Sequence, residues 1–175
     1  MAPNKPSISA PRPRTLVAAI GQPWLSDEAF GLCVLERLAG EPLEGVILQD
    51  LSCAMITAFQ LLREQSLDRA IFVATVARGR PPGSLHCIRA ADPLPAPAEI
   101  QARIADGVMG LVSLDNLIIM ARYYGALPAD HLRIELEPIN DSWGDSLSPQ
   151  VVPLVDRTVQ MIRRELASPR AEAGR

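Results

Sequence analysis

Cysteine is scarce in this chain: Cys33, Cys53 and Cys87 are odd in number, far apart and set in apolar runs. No Cys-x-x-Cys occurs, which excludes a zinc ribbon, and the spacing gives no disulfide framework. Three separated thiols in apolar surroundings are expected to be reduced core filler in a cytoplasmic protein. No apolar run reaches the roughly 20 residues of a membrane span, so no membrane partner is expected. An excess of basic charge is also missing. Lys and Arg number 17 against 20 Asp and Glu, the net charge is -3 and the pI is about 5.4, so there is no global electrostatic case for nucleic acid. No Gly-x-Gly-x-x-Gly or P-loop sequence follows any strand-like run, which argues against a doubly wound nucleotide-binding module. Histidine occurs only at His86 and His131, so imidazole chemistry has two possible sources.

What is present is a chain of 175 residues, 48% hydrophobic, enough for one well-filled domain. Met1 to Arg14 carries four prolines and three cationic side chains without an apolar h-region. It reads as a disordered lead-in and not as a secretory signal. Residues 168–175 read as a flexible tail, leaving a single domain over 15–167.

Within that domain, apolar strand-like runs alternate with helical patterns, the signature of βαβ units. Strands are expected at Thr15 to Gly21, Val46 to Gln49, Arg69 to Val76, Ser84 to Arg89 and, near an edge, Leu132 to Leu136. Helices are expected from Glu28 to Leu38, capped by Ser26 or Asp27, from Ala54 to Glu64, from an N-cap at Ser113 to Gly125, and from Val155 to Leu166. Pro153 should delay or kink the first turn of the last helix. Ala90 to Pro97 reads as irregular. The expected fold is a three-layer α/β/α domain with a mostly parallel sheet of about five strands and helices on both faces.

In a parallel sheet the residues that follow the strands lie along one edge, where open α/β sheets bind ligands. Glu28 follows the first strand, Asp50 ends the second, and Ala77-Arg78-Gly79-Arg80-Pro81-Pro82-Gly83 follows the third. Glu28 and Asp50 could therefore converge there. Each has a plain structural role as well, complementing a helix dipole or closing a turn. Arg78 and Arg80 read as a solvated loop or as a patch that steers an acidic surface. Trp24, beside the acids, is either a buried lid or an exposed partner anchor.

The order of these motifs resembles the nickel-iron hydrogenase maturation endopeptidases over about Thr15 to Leu166. That family opens on a strand, a glycine-asparagine turn and a Leu-x-Asp-Asp/Glu-x-x-Gly element. Here the same stretch reads Gly21-Gln22-Pro23-Trp24-Leu25-Ser26-Asp27-Glu28-Ala29-Phe30-Gly31. Asp50 matches the aspartate of the second strand. Arg78 to Ser84 resembles Gly-Gly-x-Pro-Pro-Gly-Thr, and Ser113-Leu114-Asp115-Asn116-Leu117 resembles the start of the family's Ser-Leu helix. Ala121-Arg122-Tyr123-Tyr124-Gly125, Leu136-Glu137-Pro138 and Leu147-Ser148-Pro149 match later segments.

The resemblance implies an endopeptidase that removes the C-terminal extension of a nickel-loaded hydrogenase large-subunit precursor. It also implies that two carboxylates, here Glu28 and Asp50, and a histidine read the precursor's nickel. Three positions depart from the family pattern. Gly110 stands where the histidine belongs, Ala74 where an aspartate closes the third strand, and Gln22 where an asparagine follows the turn glycine. Loss of imidazole matters because nitrogen donors suit nickel better than two hard oxygens. His86, just after the Pro-Pro-Gly loop, is the candidate replacement ligand; His131 is expected at the opposite edge of the sheet. Two functions follow: a working peptidase, or a non-catalytic relative that acts as a chaperone or checkpoint for the large subunit.

Overall fold

A computed structural model of the chain describes residues 14–40, 42–89 and 93–168. The expected lead-in and tail lie outside those residues, save Arg14 and Ser168. Five strands form one sheet: β1 (Thr15–Ile20), β2 (Val46–Asp50), β3 (Arg69–Thr75), β4 (Leu85–Ile88) and β5 (Asp130–Leu136). Their order is β2-β1-β3-β5-β4, with the first four parallel and β4 antiparallel at one edge. The helices are α1 (Phe30–Ala39), α2 (Met55–Glu64), α3 (Pro97–Val108), α4 (Leu114–Tyr123) and α5 (Val152–Ala167).

The two central strands explain the layering. Every residue of β1 and β3 is buried, as their unbroken apolar runs require of strands covered on both faces. Leu16, Ala18, Ala70 and Phe72 meet α2 and α4 through Met55, Leu62, Leu117 and Met120. Val17, Ile71 and Val73 meet α1 and α5 through Phe30, Val34, Leu38, Val155 and Ile162. Removing a side chain of this size from water stabilises the fold by about 1.5–3 kcal/mol, so the two apolar faces hold the sheet in place. The three-layer α/β expectation is met.

Several local expectations change. Ser26–Ala29 is a turn of 3-10 helix, and α1 starts only at Phe30 with no side-chain cap. Ser113 does cap α4, its Oγ accepting from Asn116 N at 3.2 Å. Pro153 sits in the first turn of α5, where its missing N–H costs nothing. β5 does lie near an edge, one strand in from it, because β4 pairs along its outer side. Its charged alternation survives burial because Arg133 and Glu135 belong to an ion-pair network. α3 departs from the sequence reading, since Pro97, at the end of the proline-rich stretch, opens a helix whose first turn needs no N–H from it. Cys53 and Cys87 are exposed, contrary to a core role, and only Cys33 is partly buried. Each lies outside the apolar interior, Cys53 just past β2 and Cys87 on edge strand β4.

Candidate functional site

The chain leaves β1 in one direction to reach β2 and crosses to the other side for β3. At that reversal, between the carboxyl ends of β1 and β3, lies a cavity of about 210 Å³. Open α/β sheets place ligands at such a switch point. Ile20, Gly21, Gln22 and Glu28 line one side, Ala74 to Ala77 the floor, and Val112 to Asp115 the opposite side.

Two glycines allow this wall to form. A Cβ on Gly21 would stand 2.3 Å from the Glu28 carbonyl oxygen, and one on Gly31 would stand 2.6 Å from that of Val73. Neither backbone atom could yield, so the turn that carries Glu28 folds tightly over the sheet only with glycine at both places. The turn is then pinned from below. Thr75 Oγ1 donates to the Asp27 carbonyl at 2.6 Å.

Asp27 has no exposed surface and does not cap α1. Its Oδ2 accepts from Ile139 N at 3.0 Å, Asn140 N at 2.9 Å and Ser148 Oγ at 2.9 Å; its Oδ1 accepts from Ser148 N at 2.7 Å. A carboxylate that accepts four hydrogen bonds is stable without water. Asp27 therefore locks the 139–148 segment against the Glu28 turn. Ser26, next to it, holds a left-handed φ of 44°, a conformation costly for a residue with a Cβ. Ser26 Oγ donates to Ser142 O at 3.0 Å, and Ser26 N donates to Gly144 O at 3.0 Å.

Glu28 is partly buried in the cavity wall. Burial, reinforced by the negative charges of Asp141 and Asp27, pushes its carboxyl above the ordinary carboxylate range. Asp115, in the first turn of α4, lines the same cavity. The sequence signal for Asp115 was its place two residues after the Ser113 cap, which puts an acid at the helix start.

Asp50 does not line this cavity. It lies on the β2 side of β1, in register with Ala19, whereas the cavity lies on the β3 side. It is exposed, and its Oδ1 accepts from Ser52 N at 2.8 Å. His86 does reach the expected edge of the sheet, but on β4, beyond β3 and β5 from Glu28. It pairs with Glu135, and its Nε2 lies 2.8 Å from Ser84 Oγ. His131 opens β5 at the opposite edge, with Nδ1 2.9 Å from Pro128 O. Gly110 sits in an exposed turn with φ 94°, and nothing lies within 4 Å of where a Cβ would point. Glu28, Asp50 and His86 are thus not gathered, and no group of three or more His, Cys, Asp or Glu among the described residues could hold a metal ion.

Arg78 and Arg80 are not a solvated loop. Arg78 donates from Nε and Nη2 to Glu135 at 2.7 and 2.8 Å, and from Nη2 to Asp115 at 2.7 Å; Arg80 adds a bond to Glu135 at 3.0 Å. Burial alone would raise the Glu135 carboxyl, but the hydrogen bonds and charge of Arg78, with Arg133 and Arg80, outweigh it and hold that carboxyl below its ordinary value. Glu137 accepts from Arg78 N and Gly79 N at 2.9 Å each, which fixes the loop that follows β3. Trp24 is 63% exposed and Trp143 83%. Gly144 N donates to Trp24 O at 3.0 Å, so both tryptophans stand on linked segments beside the Glu28 turn.

No family model matches the sequence, and no curated protein does. Solved structures do match. HybD, a hydrogenase maturating endopeptidase from E. coli, superposes with a TM-score of 0.68 at 19% identity, covering 88% of this chain and 92% of its own. A hydrogenase 2 maturation peptidase from a Thaumarchaeota archaeon gives 0.62 at 25% identity, with 87% and 97% covered. The nickel-iron hydrogenase maturation protease HycI from Thermococcus kodakarensis gives 0.64 at 21% identity, with 89% and 93% covered. The chain therefore has the fold of the hydrogenase maturation endopeptidases along nearly its whole described length.

Proposed function

We propose that this protein is a hydrogenase maturation endopeptidase that hydrolyses the C-terminal extension from a nickel-loaded large-subunit precursor in the cytoplasm. The observation that carries this reading is Glu28. It is a carboxyl of raised pKa in a switch-point cavity, on a scaffold that matches a peptidase of that class over 88% of the chain.

Peptide hydrolysis needs a group that takes a proton from water and returns it to the leaving amine. A carboxyl shifted toward neutral pH does both better than an ordinary one. Glu28 has that character, and no Ser-His or Cys-His pair competes for the role at this cavity. The first turn of α4 borders the cavity, so the positive end of its dipole favours negative charge developing on the scissile carbonyl oxygen. Nickel belongs to the precursor and is part of the substrate. The carboxylate that the chain offers it at the cavity is Glu28, with Asp50 outside that cavity, and the precursor's own ligands complete its coordination.

The second reading is a catalytically inactive relative that serves as a chaperone or checkpoint for the large subunit. Gly110 favours it, since glycine has no donor side chain where the family resemblance leads one to expect a histidine. Incubating the protein with a nickel-loaded precursor separates the two. Loss of a C-terminal peptide that Glu28→Ala abolishes establishes the peptidase, whereas a stable complex of unchanged mass establishes the checkpoint.

A further inference from the structure

Trp24 and Trp143 are the only tryptophans of the chain, and both are exposed. Tryptophan is highly buried on average, because its large apolar surface contributes most inside a core or an interface. The bridge beside them brings the two together. It joins Leu25 to Gly144 in parallel, so Trp24 and Trp143 each come one residue before it on neighbouring segments. Pro23 and Ile139 add exposed apolar surface on those segments. The platform is also fixed. Gly144 N donates to Trp24 O, Ser26 N donates to Gly144 O, and the buried Asp27 carboxylate holds Ile139, Asn140 and Ser148. Aromatic side chains carried on a fixed backbone lose little freedom when a partner covers them.

The charge on these two segments has one sign. Residues 20–31 and 138–151 contain no Lys, Arg or His. Asp141 and Asp145 flank Trp143, are exposed, and form no ion pair with another described residue. The negative charge of Asp141 acts on Glu28, so the platform adjoins the mouth of the Glu28 cavity. We infer that Trp24, Trp143, Asp141 and Asp145 form a docking surface for a protein segment that presents Lys or Arg beside an apolar side chain. An indole face attracts guanidinium and ammonium groups, and the neighbouring carboxylates attract the same groups. The same charge disfavours an anionic lipid surface. It also disfavours a second copy of this chain, because a two-fold contact would set Asp141 and Asp145 against their own equivalents. That the segment belongs to the hydrogenase precursor, held here while its extension enters the cavity, rests on the peptidase reading above. The docking of a basic apolar segment does not.

The two tryptophans supply the readout, since indole fluorescence excited at the red edge of its absorption comes from this surface alone. The full chain is titrated with acetyl-Leu-Arg-Leu-Arg amide, with acetyl-Leu-Glu-Leu-Glu amide as the control. The basic peptide gives a saturable blue shift that weakens as salt is added, and the acidic one gives none. Trp143→Ala, read from the remaining Trp24, weakens binding by about tenfold, and Trp143→Phe recovers part of it. Asp141→Asn with Asp145→Asn weakens it by about threefold. These side chains are exposed, so unchanged thermal melts exclude a folding defect. An equal shift from the acidic peptide, no shift at millimolar basic peptide, or variants that bind like the wild type overturn the inference. So does a blue shift on anionic phosphatidylglycerol vesicles, or one that grows with protein concentration alone, which would assign the surface to lipid or to a second copy. Failure of the two readings is distinguishable. With the precursor, Trp143→Ala should raise KM and leave kcat little changed. If the wild type cuts a precursor and Trp143→Ala cuts it with unchanged KM, the precursor does not dock here and the peptidase stands. If nothing is cut but the basic peptide binds as described, the peptidase reading falls and the docking surface stands.

Discussion

Asp27 and Ser148 are joined by two hydrogen bonds, from the Ser148 amide and from its hydroxyl, across 121 positions of sequence. This contact ties the turn that carries Glu28 to the segment that leads into α5. Glu28 is thus positioned by a buried neighbour that takes no part in any reaction.

Asp27→Asn tests that relationship. An amide keeps one acceptor oxygen, but its NH2 faces backbone N–H donors and loses the charge-assisted bonds. The expected cost is about 2–3 kcal/mol, read as a lower midpoint in urea unfolding. Processing should fall with it, because the Glu28 turn loses its anchor. A variant as stable as the wild type would show that the four bonds to Asp27 contribute little.

Glu28→Gln should leave the fold intact and abolish processing. The shift in Glu28 fixes the sign of its effect on stability. Its folded carboxyl titrates above the unfolded one, so the native state gains from the protonated form at low pH and loses that gain as pH rises. The variant should therefore be slightly more stable than the wild type at neutral pH, by about 0.5 kcal/mol given partial exposure. The difference should vanish below about pH 4, the unfolded carboxylate range. Thermal melts at both pH values check it, and a variant less stable at neutral pH would contradict the assignment.

Arg78→Met strands the buried Glu135. Removing one partner of a buried pair can cost 3–5 kcal/mol. Here Arg80 and Arg133 remain and Arg78 is partly exposed, so about 2 kcal/mol is expected. Glu135 is held below the ordinary range, so its contribution is present above about pH 4 and is lost as pH falls through its folded value. The gap between wild type and variant should accordingly narrow in acid. A gap that widens instead would mean that Arg78 does not hold Glu135 ionised.

Gly110→His places a histidine at the position where the family resemblance leads one to expect it. With φ at 94°, a side chain there should cost about 1–2 kcal/mol. The position points into open space and is not part of the Glu28 cavity, so the isolated variant should show no nickel binding by calorimetry. Stoichiometric nickel binding would show that the site lacked only this donor.

Much of the fold was legible in the sequence because its central strands are extreme. The unbroken apolar runs at Leu16–Ile20 and Ala70–Ala74 have no place except between two helical layers. Glu28 was legible for a related reason, since a carboxylate just past the first strand of such a sheet falls at its ligand edge. The partnership of Glu28 with Asp50 was a weaker inference. Adjacent strand ends share an edge but not a crevice, and which side of β1 holds the cavity depends on where β3 pairs. Nor could the burial of Glu135 be read locally. Alternating charge in Leu132–Leu136 marks an edge strand unless distant guanidinium groups neutralise it, and Arg78 and Arg80 do so from 57 and 55 residues away. Asp27 departs from its expected capping role for the same reason, because its partners at 139–148 outcompete the helix it precedes.

The intact mass of a nickel-loaded hydrogenase large-subunit precursor, before and after incubation with this protein, is the most direct measurement. The expected result is loss of a C-terminal peptide by the wild type and an unchanged mass with Glu28→Gln. Cleavage that persists in Glu28→Gln would contradict the role given to that carboxylate, and an unchanged mass with the wild type would contradict the peptidase itself.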